Sequence, residues 1–181
     1  MRVITTTLSG VLIIEPKLFT DERGYFLESC QTERYLAQGI PPFVQDNLSC
    51  SQKNVVRGLH YQLERPQGKL ITVVEGAILD VALDIRLSSS TFGQVMCVEL
   101  NDTDHKQLYV PPGFAHGFCV LSDQAKVLYK CTDYYHLPSE RGIYWNDASL
   151  QIPWPKEHMI VSVKDTEYLP LNQIAKDQLF S

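Results

Sequence analysis

The run Arg57-Gly58-Leu59-His60-Tyr61-Gln62 sets a permanent cation and a titratable imidazole three residues apart in a strand-like stretch. An imidazole is the side chain best suited to take a proton near neutral pH. Positions three apart on a regular strand face opposite sides, because successive side chains alternate. Gly58 lies between the two, and a strand glycine often marks a bulge. Irregular backbone near Gly58 is therefore expected if Arg57 and His60 are to share a pocket. Judged by itself, a strand histidine is more often a packed structural residue than a base.

Pro111-Pro112-Gly113-Phe114-Ala115-His116-Gly117 has the P-x-G-x-x-H form of the second cupin motif. In metal cupins that histidine is a ligand and an earlier strand supplies an H-x-H pair. The corresponding run here is His60-Tyr61-Gln62, which lacks the second histidine. A metal site needs three or four protein ligands, so no metal is expected. His116 is left either to contact a ligand or to pack, and His105, His136 and His158 read as surface residues.

Other polar groups are weak signals singly. Lys69 follows a turn glycine in Gln67-Gly68-Lys69-Leu70, Tyr129 sits in an apolar strand-like run, and Lys164-Asp165 follows Ile160-Val161-Ser162-Val163. Arg23 and Glu28 flank the turn-and-strand segment beginning at Asp21. Gln45 and Asn47 fall on one side of an extended segment, and Glu140 reads as a loop residue.

The elements that must carry these groups are mostly short strands rich in β-branched and aromatic residues, punctuated by Gly, Pro, Asn, Asp and Ser. Leu79, Val81, Leu83 and Ile85 alternate with Asp80, Ala82 and Asp84, a period of two. The two aspartates face either a polar barrel interior or solvent. Helical pattern is confined to Thr32 to Gln38, with Thr32 as N-cap, and to Leu171 to Leu179. Many strands without intervening helices indicate one all-β domain over residues 1–181, a sandwich or barrel.

Bulk properties narrow the partners. The net charge is -5 with no block of either sign, which argues against a nucleic-acid or membrane-surface protein. The amino terminus lacks the apolar core of a signal peptide, and no apolar run approaches the roughly 20 residues of a membrane span. Five widely spaced cysteines without a C-x-x-C pair suit buried, reduced thiols. A cytoplasmic location is expected.

Together, Asp21-Glu22-Arg23-Gly24, Val44-Gln45-Asp46-Asn47, Arg57-Gly58-Leu59-His60, Gln67-Gly68-Lys69-Leu70, Pro112-Gly113-Phe114-Ala115-His116-Gly117, Tyr129-Lys130 and Tyr144-Trp145-Asn146-Asp147 follow one another in a telling order. From about Val11 to Pro170 the chain resembles the dTDP-4-dehydrorhamnose 3,5-epimerase family. The resemblance implies a cupin-like jelly-roll β-sandwich or barrel with a few short helices, mainly near the C-terminus. It also implies a homodimer, no metal or organic cofactor, and dTDP-4-dehydro-6-deoxy-D-glucose as substrate in dTDP-L-rhamnose synthesis. His60 would be the base, Asp165 its partner, Tyr129 the acid and Lys69 the stabiliser of an enolate. Arg23, Glu28, Gln45, Asn47, Arg57, His116, Tyr135, Glu140 and Lys164 would join Lys69 in contacting the substrate.

The implied chemistry accounts for these residue types. A C4 ketone acidifies the C3 and C5 C–H bonds through enolate delocalisation. A neutral histidine can remove such a proton while a carboxylate fixes its tautomer. An ammonium at the enolate oxygen is an oxyanion-type device, with one donor worth roughly 2.7–4 kcal/mol in measured cases. Relatives with the same base and acid that act at C3 or C5 alone remain an alternative. So does a non-catalytic sugar-nucleotide-binding module, although binding needs neither a base nor an acid.

Overall fold

In a computed structural model of the protein, which describes residues 1–181, fourteen strands carry most of the chain. In order they are β1 (Arg2–Thr5), β2 (Leu12–Glu15), β3 (Leu18–Asp21), β4 (Gly24–Leu27), β5 (Gln45–Gln52), β6 (Val55–Gln62) and β7 (Lys69–Glu75). There follow β8 (Ala77–Asp84), β9 (Val95–Asn101), β10 (Gln107–Val110), β11 (Phe114–Val120), β12 (Gln124–Cys131), β13 (Glu140–Gly142) and β14 (Ile160–Val161). Two short helices, α1 (Thr32–Leu36) and α2 (Val163–Thr166), are joined by four 3-10 turns, all beyond His136.

The first large sheet has the order β1-β2-β10-β7-β12-β5 and the second β13-β6-β11-β8-β9, with β14 added to β6 in parallel. From β5 to β12 the chain passes between the two sheets at every step except β8 to β9. That alternation stacks the sheets face to face as the expected all-β, cupin-like jelly roll. β3 and β4 form a hairpin that joins neither large sheet.

The inner faces meet in a core of Ile71, Val73, Leu108 and Val127 from the first sheet and Ile78, Ala82, Phe114 and Phe118 from the second. Each of the larger of these side chains, fully buried, contributes about 1.5–3 kcal/mol relative to exposure. The outer face of the second sheet is covered as well. Leu59, Tyr61, Val81 and Leu83 pack there beneath Ile143, Leu150 and Leu179 of the C-terminal segment. Strand β8 is thus buried on both sides, and this decides where its aspartates lie.

Asp80 and Asp84 are both inaccessible to solvent, so the solvent-facing alternative is overturned. Asp80 accompanies Ile78 and Ala82 on the inward side. Asp84 is satisfied by Arg86, Ser89 and Thr91. Burial alone would raise its pKa, yet these donors hold it at about 2.

Other expectations need correction. The α1 N-cap is Gln31, not Thr32, its side chain accepting from the Arg34 N–H at 2.7 Å. Leu171 to Leu179 is not a helix but two 3-10 turns, Leu171–Gln173 and Lys176–Gln178. Extended backbone at Ile174 and Ala175 separates them, while Leu171, Ile174 and Leu179 each reach the outer cluster. Ile143 to Trp145, a β-branched and aromatic run of the kind expected to be strand, is not one, because β13 ends at Gly142. His105 is buried against the Tyr25 ring, centroids 4.5 Å apart, instead of lying on the surface. The thiols are free but not uniformly buried: Cys119 and Cys131 are, Cys30 and Cys97 are partly so, and Cys50 is exposed.

Candidate active site

The cleft begins with an irregularity in β6. His116 of β11 faces His60 and Phe118 faces Arg57, so two steps along β11 match three along β6. One extra residue is accommodated at Gly58, whose φ is +121°, and the Gly58–Leu59 peptide is cis. A Cβ at Gly58 would stand 2.6 Å from Gly117 Cα, so the two strands cross here glycine to glycine. The bulge re-phases the strand. Leu59 and Tyr61 remain in the outer cluster, while Arg57 and His60 both line one cleft.

Asp165 arrives from far along the chain. β14 pairs with Val55 and Val56 of β6, and the chain then turns into α2. Ser162 caps that turn by accepting from the Asp165 N–H. The result sets Asp165 Oδ1 2.6 Å from His60 Nε2, while Oδ2 accepts the Gly58 N–H at 3.3 Å. Burial resists ionisation of Asp165, but hydrogen bonds and charge attraction from His60, with help from Gly58 and Ser162, hold its pKa below the ordinary value. An ionised Asp165 requires the proton on Nε2, which leaves Nδ1 as the basic nitrogen. Tyr168 meets the imidazole edge-on at 5.9 Å, and Gly142 leaves the space that its ring occupies.

Lys69 and Tyr129 come from the facing sheet, on the adjacent strands β7 and β12. Lys69 is partly buried, makes no ion pair, and burial lowers its pKa below that of a free lysine. Burial likewise raises the Tyr129 phenol. His116, on β11, hydrogen-bonds through Nε2 to both carboxylate oxygens of Asp80, at 2.9 and 3.0 Å.

The cleft has two lobes. The larger, about 690 Å³, is lined by Arg57, His60, Lys69, His116, Tyr129, Lys164 and Asp165 among others. The smaller, about 260 Å³, carries Gln45, Asn47, Tyr135 and Glu140 and shares His60, Lys69 and Tyr129 with the first. Glu140 is a strand residue of β13. It accepts from Tyr135 Oη at 3.0 Å and Lys164 Nζ at 2.8 Å, linking the lobes. Burial would raise the Glu140 pKa, and those two donors lower it below the ordinary value.

Eleven of the thirteen residues singled out in the sequence therefore line the two lobes. Arg23 and Glu28 do not. Arg23 sits on the β3–β4 hairpin paired with Asp21, and Glu28 is paired with Arg34. Two cleft features escaped the sequence reading. Ser162-Val163-Lys164-Asp165 carries the Ser-x-x-acid spacing of an N-capping box. Ser49 continues the every-second-residue polar series begun by Gln45 and Asn47. No group of three His, Cys, Asp or Glu side chains is arranged to hold a metal ion, and no helix is long and apolar enough to cross a membrane.

Comparison with known proteins places the chain in a family. Residues 5–173 match the family model for dTDP-4-dehydrorhamnose 3,5-epimerase. A Shigella flexneri protein of that name is 51% identical over 169 residues, covering 91% of this chain and 93% of its own. One from Methanothermobacter thermautotrophicus is 47% identical over 176 residues, 95% of each chain. The crystal structure of a Legionella pneumophila dTDP-6-deoxy-D-glucose-3,5-epimerase, in complex with dTDP-4-keto-L-rhamnose, superposes with a TM-score of 0.96. It is 50% identical and the match covers 99% of this chain and 97% of that one. With its jelly roll and nearly its whole length matched in this way, the chain is an isomerase that belongs to the dTDP-4-dehydrorhamnose 3,5-epimerase family.

Proposed function

We propose that this chain converts dTDP-4-dehydro-6-deoxy-D-glucose into dTDP-4-dehydro-L-rhamnose by inverting C3 and C5 in turn, within dTDP-L-rhamnose biosynthesis. One observation carries the reading: a histidine–aspartate pair on one wall of the cleft faces a tyrosine and a lysine on the other. Inversion next to a ketone needs a base on one side of the ring and an acid on the other. His60 Nδ1 takes the proton from C3, and the C–H electron pair moves into the C3–C4 bond as the C4 carbonyl oxygen becomes an enolate. The Lys69 ammonium donates to that oxygen, and the Tyr129 hydroxyl returns a proton to the opposite face of C3. Solvent then resets both groups. The same set serves C5, which also adjoins C4. These steps use side chains alone and require no metal or organic cofactor.

The larger lobe suits the sugar, because it brings these four groups together with His116. Arg57 and Lys164 supply charge-assisted donors for the diphosphate. The smaller lobe, with Gln45, Asn47, Tyr135 and Glu140, suits the nucleoside. Arg23 and Glu28 join the site in a homodimer. The β3–β4 hairpin exposes Leu18, Phe19, Tyr25 and Phe26, an apolar surface of the kind that interfaces cover. Five free cysteines fit a reducing, cytoplasmic setting.

Incubation with the 4-keto sugar nucleotide in D2O, followed by NMR, tests the reaction. Deuterium at both C3 and C5 with inverted configuration is expected. Label at one carbon alone would make the chain a mono-epimerase, and no label at either would refute epimerisation.

A further inference from the structure

One strand carries a polar row that meets the cleft at Gln45, Asn47 and Ser49. Gln45, Asn47, Ser49 and Ser51 stand at alternate positions of β5 and so share a face. Three have partners inside the protein. Gln45 Nε2 donates to Asn47 Oδ1 at 3.0 Å, Asn47 Nδ2 approaches Cys131 Sγ at 3.6 Å, and Ser51 Oγ accepts from Arg57 Nε at 3.1 Å. Ser49 Oγ is buried and has none. Buried hydroxyls are nearly always hydrogen-bonded, and Ser49 is among the residues that line the larger lobe with His60, Lys69 and Tyr129. Its cross-strand partner is Val127, two residues from Tyr129 on the same strand.

We propose that Ser49 is a substrate-binding residue whose hydroxyl pairs with the C2 hydroxyl of the hexose. The assignment rests on the epimerase reading above and refines it. Ser49 is uncharged and shares its stretch of wall with the apolar Val127 and Ile71, a setting for a neutral hydroxyl and not for a diphosphate. Among the ring positions, C3 and C5 change configuration and C4 becomes an enolate. The C2 hydroxyl alone is an unreacting alcohol on a carbon that keeps its configuration, so a fixed partner can hold it through both inversions. A hydroxyl is also matched to a hydroxyl, since each both donates and accepts. Ser49 then acts as an anchor about which the ring presents C3 and C5 to the same base and acid.

The test compares kcat/KM for the parent 4-keto sugar nucleotide and its 2-deoxy analogue, in the wild type and in Ser49→Ala. The wild type should lose about tenfold or more on the 2-deoxy analogue, the scale of one well-made hydrogen bond. Ser49→Ala should lose a similar factor on the parent and treat the two substrates alike. Its Tm should not fall, because the oxygen removed has no partner in the protein; a lowered Tm would instead mark Ser49 as structural and count against the proposal. A Ser49→Ala enzyme that still discriminates as the wild type does would overturn the assignment, as would a wild type indifferent to the C2 hydroxyl. The wild-type arm reads the proposal without relying on the variant. A wild type that turns over neither substrate overturns the epimerase reading and this assignment with it.

Discussion

His60 Nε2 and Asp165 Oδ1 lie 2.6 Å apart although 105 residues separate them in the chain. Two local devices make this contact. The bulge at Gly58 turns His60 into the cleft beside Arg57, and the Ser162 cap turns Asp165 back toward β6. Gly58 links the two by donating its N–H to the other carboxylate oxygen. Asp165→Asn keeps the size of the side chain but removes the charge that fixes the imidazole tautomer. The expected result is a loss of kcat of about 10²–10⁴-fold with little change in nucleotide affinity, measured by steady-state kinetics and calorimetric titration.

Tyr129→Phe separates proton removal from proton delivery. The base, its partner and Lys69 remain, so C–H abstraction should continue while return of a proton to the opposite face fails. In D2O the variant should exchange substrate hydrogen with solvent yet accumulate inverted product at least about 10²-fold more slowly. Equal loss of exchange and inversion would contradict an acid role for Tyr129.

The alkaline limb of the pH–rate profile should report Lys69. Burial lowers the Lys69 pKa and raises that of Tyr129. As pH rises, Lys69 therefore loses its proton earlier than an ordinary lysine, and Tyr129 keeps its own later than an ordinary phenol. Activity should fall below the roughly pH 10.4 of a free lysine. Lys69→Arg, which stays charged, should be slower and should move the limb upward. A limb that does not move would assign it to another group.

Gly58 tests the scaffold. Gly58→Ala puts a Cβ 2.6 Å from Gly117 Cα at a φ of +121°. Gly24→Ala is the control, since its φ is +123° but nothing lies within 4 Å. Backbone strain of about 1–3 kcal/mol is common to both, and each kcal/mol lowers Tm by roughly 2–4 °C at this size. Gly58→Ala should lose clearly more thermal stability than Gly24→Ala and most of its kcat.

Much of this site is written in local sequence, and the remainder in tertiary structure. The alternation from Leu79 to Ile85 located Asp80 on a defined side of β8, but only the packing of Leu179 and its neighbours on the opposite face decided that this side is interior. Gly58 disclosed the bulge because two functional side chains with odd spacing needed a common face. Only the start of β5 was legible, as the extended segment that holds Gln45 and Asn47, since Gln45 to Gln52 lacks the β-branched residues that mark a strand. It is held by pairing with β12, a non-local cause. The C-terminal turns misled because local spacing was decided by non-local packing. Their apolar residues look helical in spacing, yet Leu171, Ile174 and Leu179 pack against the outer cluster from two separate turns. Arg23 and Glu28 were legible as residue types, but in this chain they pair with Asp21 and Arg34 and stay out of the cleft.

The most direct test of the account is His60→Asn in D2O with the 4-keto sugar nucleotide, followed by NMR, with nucleotide affinity measured on the same preparation. Deuterium incorporation at C3 and C5 should fall by at least about 10²-fold while nucleotide binding is retained. Exchange at both carbons near the wild-type rate would contradict His60 as the base.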